Sequence, residues 1–339
     1  MNIKFSLLLL LFNTPSFTQT GGNSIFSFLN ISSSPRQVAM GGKIYTLEND
    51  IDQPAWNPSI ITHTLHKQIS VNYTSYLSDI QIGSLSYAHY INKSFGTLYG
   101  NINYLTYGSL LRIDEEGREN GSFNANDISL SIGYAKKLCD CNLYLGINTK
   151  FIFAYIDTFS STGIAFDLGF SYRKKNIPFI FSIILRNIGK QLTPFINTRE
   201  KLPLDIAIAF SYNLEKMPLT WHITVDNLQK WKLGVPNPSN QKTDLEGNEY
   251  EENISFLNNL IRHVSFGAEL FKNKAINLRM GYNFRRGKEL QLQNVRSFGG
   301  LSFGIGIKNK YFKFNYAYSK FHSAKNTNTF GIQIDLDKD

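Results

Sequence analysis

The chain has 339 residues but only two cysteines, Cys139 and Cys141. A Cys-x-Cys pair is a poor geometry for an unstrained disulfide. A metal site needs more ligands than two thiols, and no histidine lies near them in sequence. The pair reads as a turn carrying free thiols or a strained bridge, and no metal or other cofactor is expected. The six histidines, His63, His66, His89, His222, His263 and His322, are scattered, and the chain has no G-x-S-x-G elbow. No enzyme is expected. Long hydrophobic runs are missing too. Past residue 18 no stretch approaches the roughly 20 apolar residues of a membrane-spanning helix. The net charge of +9 is not gathered into a nucleic-acid recognition fold. Its basic residues collect in short turns, at Lys93, Arg173-Lys174-Lys175, Lys272, Lys274, Lys308 and Lys310. They read as solvated turn charge within reach of lipid headgroup phosphates, and nucleic acid is not an expected partner.

What the chain does have is alternation. Ile128, Leu130, Ile132 and Tyr134 share one face, and Ser129, Ser131, Gly133 and Ala135 the other. The segments 162–172 and 204–214 read the same way. A period of two is a strand. A water-facing sheet surface usually carries Lys, Glu and Thr. The second face here carries Gly, Ala, Ser and Asn, which suits the inner wall of a barrel whose apolar face meets lipid.

The mid-strand charges test that register. Lys150, Asp167, Arg186, Asp205, Asp226, Glu269, Arg279, Lys313 and Asp335 all fall opposite the apolar face. One Arg or Lys facing lipid at the bilayer midplane would cost about 2–4 kcal/mol. A β-sandwich or propeller would also keep charge off its core. It would have no reason, however, to sort its loops by length as this chain does.

Fourteen strands are expected, near 67–77, 80–91, 94–107, 127–138, 142–156, 162–173, 179–187, 203–214, 219–228, 262–272, 275–286, 298–308, 311–320 and 328–337. Brief connections follow the even-numbered strands. Long ones, at 108–126, 188–202, 229–261, 287–297 and 321–327, follow most of the odd-numbered strands. Short turns at one end and long loops at the other mark an outer-membrane barrel with periplasmic termini. Residues 1–18 read as a secretory signal, with Lys4 before the apolar run Phe5–Phe12. Residues 19–66 do not alternate, and a fourteen-stranded lumen is too wide for its own side chains to fill. The expected organisation is therefore a signal at 1–18, a lumen plug at 19–66 and a transmembrane antiparallel β-barrel at 67–339. The wall charges are mixed in sign and can pair with Arg36, Lys43, Glu48, Asp50 and Asp52 of the plug.

The plug carries Phe28-Leu29-Asn30, then Ser34-Pro35-Arg36-Gln37-Val38-Ala39-Met40-Gly41-Gly42, then Asp52 followed by Trp56-Asn57-Pro58-Ser59. This pattern resembles the start of the PorQ family, outer-membrane components of the type IX secretion system of Bacteroidetes. It lies within the wider FadL-like and PorV-like plugged barrels. Pro35, Met40 and Ser59 are mild departures from the family form. The motif residues are Arg36, Gly41, Gly42, Asn57 and Pro58. The resemblance implies a non-enzymatic anchor in the cargo attachment complex, with PorZ, PorU and PorV types as partners and lipopolysaccharide nearby.

The docking surfaces would be the long loops, chiefly 108–126 and 229–261, with Trp231, Tyr250 and Phe256 as apolar anchors. The acidic run Asp244, Glu246, Glu249, Glu251 and Glu252 reads as solvated loop charge rather than a Ca²⁺ site. The alternative function is transport of hydrophobic small molecules through the plugged lumen. Gly41-Gly42 would then be a hinge rather than a static turn.

Overall fold

The computed structural model describes residues 24–138, 142–174, 178–234, 242–243, 249–250, 254–290, 298–322 and 325–337. The signal at 1–18, Cys139 and Cys141, and the acidic residues Asp244, Glu246, Glu251 and Glu252 lie outside the described residues.

The strands are β1 (Gln68–Ser75), β2 (Gln81–Asn92), β3 (Gly96–Ile113), β4 (Glu119–Lys137), β5 (Leu143–Ile156), β6 (Phe159–Arg173), β7 (Phe179–Thr193) and β8 (Asp205–Asn213). They continue with β9 (Leu219–Val225), the two-residue pair β10 (Lys242–Thr243) and β11 (Glu249–Tyr250), β12 (Val264–Leu270), β13 (Ile276–Asn283), β14 (Leu301–Lys308), β15 (Phe312–Ser319) and β16 (Thr327–Asp335). All but β10 and β11 form one closed antiparallel barrel of fourteen strands, sealed where β1 pairs with β16. Three short helices are α1 (Pro35–Val38), α2 (Phe256–Ile261) and α3 (Phe284–Glu289).

The alternation sorts residues as the sequence predicts, with polarity reversed from a water-soluble sheet. In β8, Asp205, Ala207, Ala209 and Ser211 are buried in the lumen, while Ile206, Ile208 and Phe210 face outward. Large apolar side chains stand exposed around the outer wall, such as Val71 at 57% and Ile132 at 59%. A soluble monomer rarely exposes a contiguous apolar patch beyond a few hundred Å², so this band belongs in lipid. Among the described residues no helix is long and apolar enough to cross a membrane; the crossing is made by strands.

Residues 24–66 lie inside the barrel as short helical turns. Val38, Met40, Ile44, Tyr45, Leu47, Ile51 and Leu65 are almost wholly buried. The predicted wall charges Lys150, Asp167, Arg186, Asp205, Asp226, Glu269 and Arg279 are buried facing this segment. Lys313 and Asp335 are half-buried at the short-turn mouth.

Three predicted boundaries move. The expected loop 108–126 is mostly sheet, because β3 and β4 run on as a hairpin to a tip at 114–118. A register shift between Thr106 and Ser109, with Gly108 at φ +75°, breaks the alternation and hid the extension. β7 likewise passes its predicted end at 187 through an irregularity at Asn187 (φ 59°), whose N–H donates to Asp167 Oδ1 at 2.9 Å. The strand predicted to reach 286 stops at Asn283, whose side chain caps α3 by accepting from Arg286 N at 2.9 Å.

Candidate functional site

Two regions collect the motif residues, one in the lumen and one among the long loops. In the lumen, Ser34 caps α1 and Pro35 opens it, the residue types expected at those positions. This places Arg36 against the wall. Its Nη2 and Nε donate to the two carboxylate oxygens of Glu269 at 2.6 and 3.1 Å. Its Nη1 donates to Asp50 Oδ2 at 3.2 Å and to the Glu48 carbonyl at 3.1 Å. Arg279 donates to the same Glu269 at 2.8 Å. Two guanidiniums and two carboxylates thus neutralise each other out of water, which a buried charge requires.

A second ionic cluster lies on the β8–β9 side. The Lys43 ammonium pairs with Asp226 and, at 3.5 Å, with Asp205. Tyr45 donates its hydroxyl to Asp205 at 3.0 Å. Arg186 lies 3.7 Å over the Trp56 ring and donates to the Leu29 carbonyl at 2.8 Å. Glu48 approaches Arg173 at 3.9 Å and Lys272 at 3.8 Å. His222 meets Thr46 Oγ1 at 2.8 Å, a lumen polar group rather than a catalytic one.

Gly41 and Gly42 have φ of +95° and +85°, conformations that L side chains rarely adopt. Gly41 N donates to Ser302 Oγ at 2.9 Å, and the same hydroxyl donates to the Ala39 carbonyl at 3.0 Å. The pair is a turn packed against the wall. Asn57 N-caps the turn Pro58–Ile60, accepting from Ser59 N at 3.1 Å and donating to the Tyr45 carbonyl at 2.8 Å. The wall is shaped to receive both motifs. A Cβ on Gly281 would collide with the backbone of Met40 and Gly41, and one on Gly146 with the backbone of Pro58.

Asp52 belongs to this segment, outside the strands, and accepts from Ser70 at 3.0 Å, Ser86 at 3.1 Å and Gln333 at 3.1 Å. Burial, and then the neighbouring Asp50 carboxylate, push its pKa up to about 6. Between about pH 4, the unfolded value, and pH 6 the folded state therefore holds a proton that the unfolded chain has lost. Stability falls as pH rises through that window. Asp52→Asn is expected to flatten the fall, read as the unfolding midpoint of the detergent-solubilised protein between pH 4 and 7.

At the long-loop end, Trp231 stacks on His263 with centroids 5.4 Å apart and meets Phe256 of α2 at 5.1 Å. His263 bridges the carbonyls of Asp226 and Trp231 at 2.7 and 3.0 Å, and Asn259 bonds the Trp231 carbonyl. Phe256 and Leu257 are each 66% exposed and Trp231 46%. The side chain of Tyr250 lies outside the described residues. The sequence pointed to Trp231 and Phe256; it did not show that His263 and Asn259 fix the cluster. Among the described residues no group of three or more His, Cys, Asp or Glu is placed to hold a metal.

Residues 19–180 match the family model of the type IX secretion system protein PorV. A FadL homologue of Pseudomonas aeruginosa superposes with a TM-score of 0.51, at 10% identity, over 90% of this chain and 98% of that one. Just under half of the chain is thus similar to the PorV family, and the barrel shares its fold with the FadL homologue. The Acinetobacter baumannii outer membrane protein Omp33 aligns over 80% of this chain and 99% of that one at 8% identity, with a TM-score of only 0.37. No curated protein matches the chain in sequence. The long loops are therefore extracellular, and the short turns and the two ends of the sheet periplasmic. The family model that matches is that of PorV and not of the expected PorQ.

Proposed function

We propose that this chain is a non-enzymatic outer-membrane component of the type IX protein secretion system, of the PorQ kind. In this reading it anchors surface partners of the cargo attachment complex, PorZ with PorU and PorV types, through its extracellular loops. The observation that carries the reading is the match of residues 19–180, lumen segment included, to the PorV family. The exposed apolar cluster of Trp231, Phe256 and Leu257 supports it, since aromatic side chains on a pinned loop are the usual anchors of an interface.

A transporter of lipophiles would share the FadL-like fold, but it needs an apolar cavity that continues through the lumen. The space between Phe28, Leu29, Trp56 and the wall measures about 30 Å³. That is room for about two waters and not for an acyl chain.

The test is a mild-detergent pull-down of the tagged protein from native outer membranes, repeated with residues 235–258 deleted. Recovery of large surface proteins that the deletion abolishes supports docking. Trp231→Ala with Phe256→Ala is expected to weaken the complex by about 2 kcal/mol or more, roughly thirtyfold. A barrel that carries bound lipid and no protein would favour transport.

A further inference from the structure

Strands β3 and β4 outrun their neighbours at the extracellular end. β3 leaves its periplasmic turn at Gly96, and a tilted strand crosses a bilayer in about 9–11 residues. Residues 109–113 therefore stand beyond the lipid. There β3 pairs with β4, while its pairing with β2 ends where Thr106 meets Gln81. The β1–β2 turn reaches as far as Gly108, where an added Cβ would fall on Asp79. Among the described residues no strand pairs with the other edge of residues 109–113.

A bare strand edge is a template for another strand, and proteins usually blunt it with lysine, proline, a bulge or a covering loop. The neighbouring edges are blunted. The extra residue of the upper bulge falls on β4, where Gly121 has φ +85°. Asp157 of the β5–β6 turn also closes on β4, donating its N–H to the Asn124 carbonyl at 3.1 Å. Upper β7 is tied to the loop that follows it, where Glu200 N donates to Gln191 Oε1 at 2.8 Å. Residues 109–113 of β3 contain no lysine or proline. Their one charged residue, Arg112, pairs with Asp157 at 2.5 Å. Leu110, Leu111 and Ile113 are 36%, 59% and 60% exposed. The hairpin is preformed: Asp114 N donates to the Arg118 carbonyl at 3.0 Å, and Asp114 Oδ1 accepts from Arg118 N at 2.7 Å. An isolated pair of strands is marginally stable in water, and an edge already in place binds at little ordering cost.

Charge selects the occupant. The tip carries Asp114, Glu115, Glu116 and Glu119 beside Arg118. Arg112 is held by Asp157, and Arg118 by Asp114 and Glu116, so the hairpin stays net negative. Exposed charge elsewhere at this end is mostly positive, at Arg199, Lys201, Lys230, Lys232 and Lys288, which makes the hairpin a negative patch of its own. A second copy in the same membrane would bring the same negative tip, and like charge opposes it. We propose that the edge of β3 at residues 109–113 docks an extended segment of a surface protein, bearing lysine or arginine, as an added strand. This rests on the reading that the extracellular loops anchor such a protein. The bonds would run from main chain to main chain, with Leu111 and Ile113, two residues apart on one face, meeting apolar side chains of the segment.

The probe is a fluorescein-labelled peptide, Lys-Val-Thr-Val-Lys-Val-Thr-Val-Lys, titrated with the full chain in neutral detergent micelles and read by fluorescence anisotropy. It is expected to bind. Binding should fall at least tenfold when the third and fourth residues of the peptide are proline, since each edge of the peptide then lacks a donor. It should fall as far in Glu115→Lys with Glu119→Lys, and in Leu111→Ser with Ile113→Ser. All four side chains are exposed, so folding should be untouched, with heat resistance on gels as the check. Leu192→Ser with Ile196→Ser removes exposed apolar surface at the same end and is expected to leave binding unchanged. The proposal is overturned by no binding, by a proline peptide that binds as well, or by equal loss in the Leu192 and Ile196 variant. It is also overturned if light scattering shows a dimer of the chain that the Leu111 and Ile113 changes abolish. The titration needs no native partner. A pull-down that recovers no surface protein, with the peptide still bound, would therefore sink the anchoring reading alone, and the reverse pair of results would sink only the strand edge.

Discussion

Arg36→Met is expected to destabilise the folded barrel by about 3–5 kcal/mol, the usual result of deleting one partner of a buried ion pair. The guanidinium is held at 9% side-chain exposure between Asp50 and Glu269, which are both about 1% exposed. Without it, Glu269 keeps Arg279 alone, and the Asp50 carboxylate is left to Gln333 and the backbone N–H of Asp52. Arg36→Lys should fall between, because a lysine cannot donate to Glu269 and Asp50 in the same fork geometry. Arg118→Gln is the control: its partners Asp114 and Glu116 lie in an exposed hairpin tip, and stability should not change. Urea unfolding in lipid vesicles reads all three. A stability for Arg36→Met equal to wild type would show that the ionic seat contributes little to the fold.

Gly281→Val is expected to expel the lumen segment while leaving the barrel closed. The new side chain would fall on the backbone of Met40 and Gly41, and backbone cannot rotate away as a side chain can. The wall cannot retreat either, because Gly281 pairs with Gly267 on one side and Ser302 on the other. Overpacking of this kind costs about 1–3 kcal/mol when the structure can adjust. Here the cheaper adjustment is to release the segment. Limited proteolysis should then cut within residues 24–66 in the variant and spare them in the wild type, while the barrel stays heat-resistant on gels. Gly100→Val is the matched control, since a Cβ there meets nothing within 4 Å. Resistance unchanged in Gly281→Val would mean that the segment is not seated as described.

The barrel was legible because each strand repeats the same two-residue pattern, and because one misplaced charge in lipid is costly enough to keep Asp167, Asp205 and Glu269 on one face. The lumen position of residues 24–66 was legible from the absence of that pattern and from the size of the ring. Bulges were not legible. At Thr106–Ser109 and Asn187 the alternation slips, and a strand that slips looks like a strand that ends. Helix α3 was hidden because Tyr282 and Phe284 continue the alternation; the cap from Asn283 to Arg286 was the one local sign. The partners inside the lumen could be named only as a set. Arg36 finds Glu269 across 233 residues, and Lys43 finds Asp205 across 162. No spacing in the chain encodes such pairings. The lumen glycines were read as small wall residues, and only the packed segment shows which of them form its seat.

The central claim is that residues 24–66 close the lumen, so that the protein works through its surfaces rather than its interior. Planar-bilayer conductance tests it most directly, comparing the wild-type barrel with one lacking residues 24–62. The wild type is expected to be silent, and the deletion to conduct as an open fourteen-stranded channel. Steady ion conductance through the wild type, or a deletion that folds and stays silent, would contradict the account.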